Sequence, residues 1–258
     1  MQFIDTHAHI YSDKFEADRD KMLARTFAAG VSKVLMPNID SESIGGMLDL
    51  ELEYPQHCSP MMGLHPCSVG LDFEKELQIV ESWLSKRSFI AVGEMGIDLY
   101  WDKTFLAQQK EVFRIQAAWA KNYGLPLVIH AREAMPEVIE LLEELTDNQL
   151  FGVLHCFTGS VSEAQNLVAM NFKLGIGGIV TYKNGGLEPV LRAIGLEHLV
   201  LETDSPYLAP IPHRGKRNET SYIPIIAQKV ADIVGLSLEE VARQTTENAL
   251  MLFKNIKP

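Results

Sequence analysis

Hydrophobic and polar positions follow a repeating order along the chain: a short apolar run, then a stretch with helical spacing, then another apolar run. Phe3 and Ile4 open the first run, which leads into Asp5-Thr6-His7-Ala8-His9. Residues 12–29 place Phe15, Met22, Leu23 and Phe27 at helical intervals, with Ser12 as N-cap candidate and Gly30 as the stop. Lys33-Val34-Leu35-Met36-Pro37 reads as the second strand, and Pro60-Met61-Met62-Gly63-Leu64-His65-Pro66 as the third, with helices predicted over residues 41–53 and 73–86. Residues 89–94 form the fourth run; a long helix over residues 104–122, closed by Gly124, precedes the fifth at residues 125–130. The order continues through a helix at 133–145, a strand at 151–155, a helix at 160–170, a strand at 172–176, a short helix at 187–194 and a strand at 198–202. Two further helices, split by Gly235-Leu236-Ser237, are predicted within residues 221–253.

Nearly continuous apolar strands between amphipathic helices predict a parallel sheet covered by helices. Eight such units predict an α/β protein built as a TIM-type (β/α)8 barrel with extra C-terminal helices. An open doubly wound sheet is the alternative, but its glycine-rich turn candidate, Gly175-Ile176-Gly177-Gly178, lacks the dinucleotide-binding spacing. With no internal repeat, low-complexity tract or linker, one hydrolase barrel domain over residues 1–258 is expected.

Composition narrows the reading further. A length of 258 residues, 47% hydrophobic and 22% charged, suits a single barrel. No apolar run is long enough to span a bilayer and nothing reads as a signal peptide, so a soluble cytoplasmic protein is expected. Cys58, Cys67 and Cys156 are odd in number and lack CxxC spacing, which argues against a disulfide framework or a zinc knuckle. The net charge of -11 excludes a broad basic face for duplex nucleic acid, so positive charge for a polyanion must be local.

The chemistry concentrates at predicted strand ends. His7 and His9, at i and i+2 of a strand, face one way and can share an ion, with Asp5 on the same face. His65 ends strand three, Glu94 ends strand four, His130 and Arg132 end strand five, His155 ends strand six, and Glu202 and Asp204 end strand eight. Those ends meet at one mouth of a barrel, where its active sites are built. Four histidines and two acids exceed one tetrahedral shell, which points to two divalent metal ions: His7, His9 and Asp204 on one, His130 and His155 on the other, with Glu94 bridging. The charge of two such ions exceeds that of the two carboxylates, so the pocket suits an anionic substrate. Magnesium, manganese, zinc and iron all remain open as the metal.

Seven blocks in order, Thr6-His7-Ala8-His9, Gly63-Leu64-His65-Pro66, Gly93-Glu94-Met95-Gly96-Ile97-Asp98, Ile129-His130-Ala131-Arg132, His155-Cys156-Phe157-Thr158-Gly159, Glu202-Thr203-Asp204-Ser205-Pro206 and the run from Pro212 to Glu219, strongly resemble TatD-type metal-dependent deoxyribonucleases, of the metallo-dependent hydrolase superfamily. The resemblance covers practically the whole chain. It implies hydrolysis of DNA phosphodiesters on a divalent-metal site formed by His7, His9, Glu94, His130, His155 and Asp204. It also implies His65, Arg132, His213, Arg214 and Lys216 near substrate, and Glu202 beside the metals. Two departures are visible: Thr220 follows Asn218-Glu219 where the family usually has proline, and Met95 and Ile97 replace isoleucine and leucine in the strand-four block.

The expected mechanism is in-line attack of an activated water, with Asp204 and Glu94 as the catalytic carboxylates, Asp204 orienting the water and taking its proton. Single-stranded or frayed DNA ends are the expected substrate, attacked as a 3′-5′ exonuclease. A D-aminoacyl-tRNA deacylase, or another metal-dependent esterase or amidohydrolase, is the alternative; the amidohydrolase reading is lowered because Glu94 stands where many two-metal relatives carry a carboxylated lysine. Arg132 either reaches the scissile phosphate or pairs with a loop acid, and Arg214, Lys216 and Arg217 either meet substrate or belong to a solvated loop. Tyr100, Trp101 and Tyr182 are candidates for base stacking or for loop packing. Asp5 and Asp98 are candidates for orienting ligating histidines or for ordinary barrel hydrogen bonding. Cys156 reads as packing, directed away from the ligand face, and Trp83, Trp119 and most of the ten methionines as core. A monomer with no membrane association and no obligate protein partner is expected.

Overall fold

The computed structural model describes residues 1–145 and 147–256; residues 146, 257 and 258 of the expected domain lie outside the described residues. Strands β1 (Phe3–Asp5), β2 (Val31–Met36), β3 (Cys58–Pro60), β4 (Val92–Asp98), β5 (Leu127–Arg132), β6 (Gly152–Leu154), β7 (Phe172–Ile176) and β8 (Leu199–Leu201) alternate with helices α1 (Arg19–Ala28), α2 (Ile44–Glu53), α3 (Phe73–Lys86), α4 (Leu106–Tyr123), α5 (Met135–Leu145), α6 (Val161–Ala169) and α7 (Glu188–Ala193). Helices α8 (Ile223–Val234) and α9 (Leu238–Leu252) follow the last strand. Neighbouring strands pair in parallel and in chain order within β1–β3 and within β4–β8. Hydrogen bonds join the two seams. Ile90 N donates to Pro60 O and Met62 N to Ala91 O between β3 and β4; Thr6 N donates to Leu201 O and His9 N to Ser205 O between β8 and β1. The sheet is therefore the expected closed (β/α)8 barrel.

Three boundaries differ most from expectation. The third strand, expected over residues 60–66, is β3 at Cys58–Pro60, and His65 caps the 3₁₀ turn that follows it. The first helix begins at Arg19, because residues 13–15 form a separate 3₁₀ turn capped by Ser12, whose hydroxyl accepts from Lys14 N. Strand β4 runs on to Asp98, so Glu94 lies inside the strand and not at its end. Among the described residues, no single helix is long and apolar enough to cross a membrane.

Strand alternation sorts the core into two zones. Val34, Met36, Leu127, Ile129, Leu199 and Leu201 face the surrounding helices, while Leu35, Val128 and Val200 pack with Ile4, Met61, Ala91 and Val153 inside the barrel. Ala249, Leu252 and Phe253, at the end of α9, complete that inner cluster. Asn248 fastens this helix to the barrel by donating to the carbonyls of Leu196 and Leu199, at 2.6 and 2.7 Å. One end of the barrel is thus filled with apolar side chains, which leaves the other end for chemistry.

Candidate metal centre

Two residues beyond Val128, Val153 and Val200 stand His130, His155 and Glu202. Because residues i and i+2 share a face, the strands that fill the interior also build a polar layer directly above it. The alternation slips in two places. Beyond Asp5 it shifts by one, so that Ile4 lies inside the barrel while Ala8 faces the helices and leaves His7 and His9 in the mouth. In β4 a bulge falls between Val92 and Met95, and it turns Glu94 inward. Glycines make that bulge possible: a Cβ on Gly93 would meet Val128 Cβ at 2.6 Å, and one on Gly96, at φ +151°, would meet His130 O at 1.9 Å.

Glu94, 2% exposed, is the hub. Its Oε2 lies 3.1 Å from His7 Nε2 and 3.4 Å from His9 Nε2. Its Oε1 lies 2.8 Å from both His130 Nδ1 and His155 Nε2, and 3.3 Å from His65 Nε2. Asp204 Oδ1 completes the first side at 3.6 Å from His9 Nε2 and 3.9 Å from His7 Nε2. Three overlapping groups, His7-His155-Asp204, His7-His9-Glu94 and His65-Glu94-His130, each offer ligand atoms within 4.8 Å of one another.

Hydrogen-bond partners fix the histidine tautomers. The Tyr11 hydroxyl donates to Pro37 O at 2.6 Å, so it accepts from His9 Nδ1 at 2.9 Å and leaves His9 Nε2 with a bare lone pair. His130 Nε2 donates to Asp98 Oδ2 at 2.9 Å, which leaves Nδ1 bare in the neutral ring. Both lone pairs face carboxylate oxygens, an arrangement that needs a cation between them. His65 is different: its Nδ1 accepts from Cys67 N at 3.0 Å, so Nε2 carries the proton and is directed at Glu94 as a donor. His7 Nδ1, His155 Nδ1 and Glu202 Oε2 are buried without a hydrogen-bond partner. Imidazole nitrogens and carboxylate oxygens, several of them unsatisfied, fit a divalent transition metal.

Burial opposes charge on His155, yet Glu94 and Glu202 outweigh it and hold the ring well above the usual histidine range. His130 is raised in the same way, against burial, by its hydrogen bonds to Asp98 and Glu94. His7 is driven down by burial and by the neighbouring charge of His155. Burial pushes the Asp204 carboxyl up to about 6, with His155 and His9 opposing. Burial also opposes ionisation of Asp98, but the His130 hydrogen bond prevails and holds it at about 2.

The remaining expected site residues divide. Glu202 stands behind His155, with Oε1 3.4 Å from Nδ1 outside hydrogen-bond geometry, and it accepts from Cys156 N. Among the described residues Arg132 pairs with neither loop acid nor histidine; its guanidinium lies 3.7 Å from the Tyr100 ring centroid and 5.3 Å from that of Trp101. Arg214 covers Tyr182 at 4.5 Å, and the Tyr182 hydroxyl donates to Ala209 O, so Tyr182 packs the last loop. His213 stacks on Tyr222 at 4.1 Å, Lys216 is exposed on the same loop, and Arg217 pairs with Asp18 and Glu219. Thr220, which stands where the family usually has proline, shares a 2.9 Å hydroxyl hydrogen bond with Thr26 of α1.

Two expectations need correction. Asp5 orients no histidine ring: it accepts from His7 N, Thr203 N and Thr203 Oγ1, tying β1 to the segment after β8. Cys156 lies past the end of β6 at φ +46°, so the strand alternation on which its expected direction rested does not reach it; burial first, then Asp204, Glu202 and Glu94, push its thiol well above the ordinary value. Tyr11 is a site residue that was missed, although its i+2 spacing from His9 signals it.

Comparison with known proteins agrees with this architecture. The family model described as TatD related DNase matches residues 4–254. An uncharacterized metal-dependent hydrolase, YabD of Bacillus subtilis, is 38% identical over 251 residues, covering 97% of this chain and 98% of its own. The 3′-5′ ssDNA/RNA exonuclease TatD of Pectobacterium atrosepticum is 30% identical, covering 97% and 98%. The crystal structure of YjjV, a TatD homolog from Escherichia coli, superposes with a TM-score of 0.92 at 29% identity, covering 98% of each chain. The chain belongs to the TatD family and is a metal-dependent hydrolase.

Proposed function

We propose that the chain shortens single-stranded DNA from its 3′ end, using two divalent ions held by His7, His9 and Asp204 on one side and by His130 and His155 on the other, with Glu94 between them. One observation carries the reading: the two oxygens of one buried carboxylate face two separate histidine sets, at 3.1 and 3.4 Å on Oε2 and at 2.8 Å on Oε1. Ions held there would supply Lewis acidity for a phosphoryl oxygen and a lowered pKa for water. Asp204 is the carboxylate of the set open to solvent, its side chain 13% exposed against 2% for Glu94. It orients the attacking water and accepts its proton. The Arg132 guanidinium donates to the phosphate from the rim, and His65, whose Nε2–H is directed at Glu94, stands beside the substrate. Asp98 holds His130 in the tautomer that presents Nδ1. The Pectobacterium relative, a 3′-5′ ssDNA/RNA exonuclease by name, supports a nucleic-acid end as substrate. The enzyme works as a monomer in the cytoplasm, in keeping with three unpaired cysteines.

Metal-stripped protein reloaded with magnesium, manganese or zinc tests the reading on single-stranded DNA and RNA labelled at either end. Ladders that shorten from the 3′ end with wild type, and not with His130→Ala or Asp204→Asn, are expected. An absence of metal-dependent cleavage together with amino-acid release from charged tRNA overturns it in favour of an esterase.

A further inference from the structure

Beside the histidine cluster, between the exits of β3 and β4, lies a cavity of about 260 Å³ lined by Pro66, Cys67, Val69, Asp98, Trp101 and Phe105. Asp98 belongs to both places, since its Oδ2 accepts from His130. The cavity falls just below the roughly 300 Å³ at which small-molecule pockets begin, so it holds one ring system and not a whole nucleotide. Trp101 leaves 71% of its surface open, yet the loop beneath it is fixed: Tyr100 N and Trp101 N both donate to Asp98 Oδ1, at 2.9 and 3.3 Å. The indole is therefore a held surface.

Charge distinguishes the cavity from its rim. Two carboxylates, Asp98 and Asp102, line it, so a phosphate is repelled from the interior. The nearby cation is Arg132, stacked against Tyr100 and Trp101 outside. An aromatic wall, the exposed Asp102 carboxylate able to accept from an exocyclic amine, and a guanidinium at the entrance match the separate parts of a nucleotide.

We propose that this cavity is a base pocket, in which the nucleobase next to the scissile phosphate stacks on Trp101 while Arg132 takes that nucleotide's phosphate. The inference rests on the nuclease reading above and gives it a substrate class: a base that enters must be unpaired, so the pocket selects single-stranded or frayed ends. The Asp102 carboxylate in the lining favours the bases that carry an exocyclic amine, cytosine, adenine and guanine, over thymine.

Two measurements on the metal-loaded enzyme test it. In the first, oligonucleotides with an intact or an abasic residue at each of the two terminal positions are compared with wild type and Trp101→Ala. An abasic residue at the pocket position is expected to lower kcat/KM about tenfold, and Trp101→Ala to lower it similarly on the intact end while erasing the difference between the two ends. Indifference of wild type to the missing base overturns the pocket and leaves the nuclease reading standing. In the second, tryptophan fluorescence is followed during titration with dCMP and with deoxyribose 5-phosphate. Quenching by dCMP alone, lost in Trp101→Leu, supports the pocket even if no oligonucleotide is cut, in which case the nuclease reading fails; equal responses to both ligands overturn it.

Discussion

Two charged clusters join the beginning of the chain to the segment after β8, and they are built on opposite principles. In one, Arg25 donates to Glu219 at 2.7 and 2.9 Å, while Arg217 donates to Asp18 at 2.6 and 2.8 Å and to Glu219 at 3.1 Å. Donor meets acceptor at each of these contacts. In the other, His7, His9, Glu94, His130, His155 and Asp204 bring acceptors against acceptors and leave buried atoms without partners. Both clusters are polar, partly or fully buried and assembled across the same sequence distance. What separates them is completeness. The first is finished by the protein alone and serves the fold; the second is finished only by a cation and serves chemistry.

The sharpest way to break this contrast is Glu94→Gln, which removes the charge shared by the two histidine sets. Hydrolysis is expected to fall about a thousandfold, roughly 4 kcal/mol of transition-state stabilisation, with little change in the melting temperature of metal-free protein. An equal loss of stability would place the centre with the structural cluster. Next in size, Asp98→Asn keeps the bonds to the loop amides but weakens the hold on His130, and metal affinity measured by chelator competition should fall about 10- to 100-fold. Adding metal at about a hundred times its dissociation constant should stabilise wild type by roughly 2.7 kcal/mol in thermal unfolding, and the Glu94→Gln variant by much less.

The structural cluster should respond in the reverse sense. Glu219→Gln is expected to cost about 1–2 kcal/mol in denaturant unfolding while turnover stays near wild type. Its pH dependence has a fixed sign. Hydrogen bonds from Arg217, then Arg25, hold the Asp18 carboxyl at about 2, below its ordinary 3.8. Burial opposes ionisation of Glu219, but Arg25 and Arg217 outweigh it and lower that group too. Folded-state values below the unfolded ones give stability that is full above the ordinary carboxylate range and lost as pH falls toward 2. Solvent screening keeps the Asp18 share under about 1 kcal/mol. Acid titration of wild type against Glu219→Gln measures it, and identical curves would show that the pairs contribute nothing.

Much of the barrel was legible because its strands are buried on both faces and its helices are amphipathic, so the two periods alternate without ambiguity. Helix α3 and strand β7 fall where the pattern places them, at Phe73–Lys86 and Phe172–Ile176. The six residues brought together around Glu94 were legible for a related reason: a strand end in such a barrel has only one place to point. Departures arose where regular alternation stops. The slip beyond Asp5 is a backbone event that no residue type announces, whereas the bulge that turns Glu94 inward is marked in the sequence only by Gly93 and Gly96. Arg132 was read as reaching a phosphate or a loop acid, and its stacking on Tyr100 and Trp101 depends on a loop conformation set by Asp98. Cys156 was assigned by strand parity, but it lies past the end of β6 at φ +46°, where parity no longer applies.

The bonds from Asp5 to Thr203 span 198 positions and sit directly beneath His7, His9 and Asp204. During synthesis, His7 and His9 leave the ribosome early, and their carboxylate partner Asp204 arrives only after the other seven strands have been made. A shortened product that ends just past β6, at His155, carries five of the six residues proposed as ligands and still lacks the strand that closes the ring. Under the proposed assignment, the set of His7, His9 and Asp204 is completed only by the segment that closes the barrel, so that half of the centre and the ring are finished together.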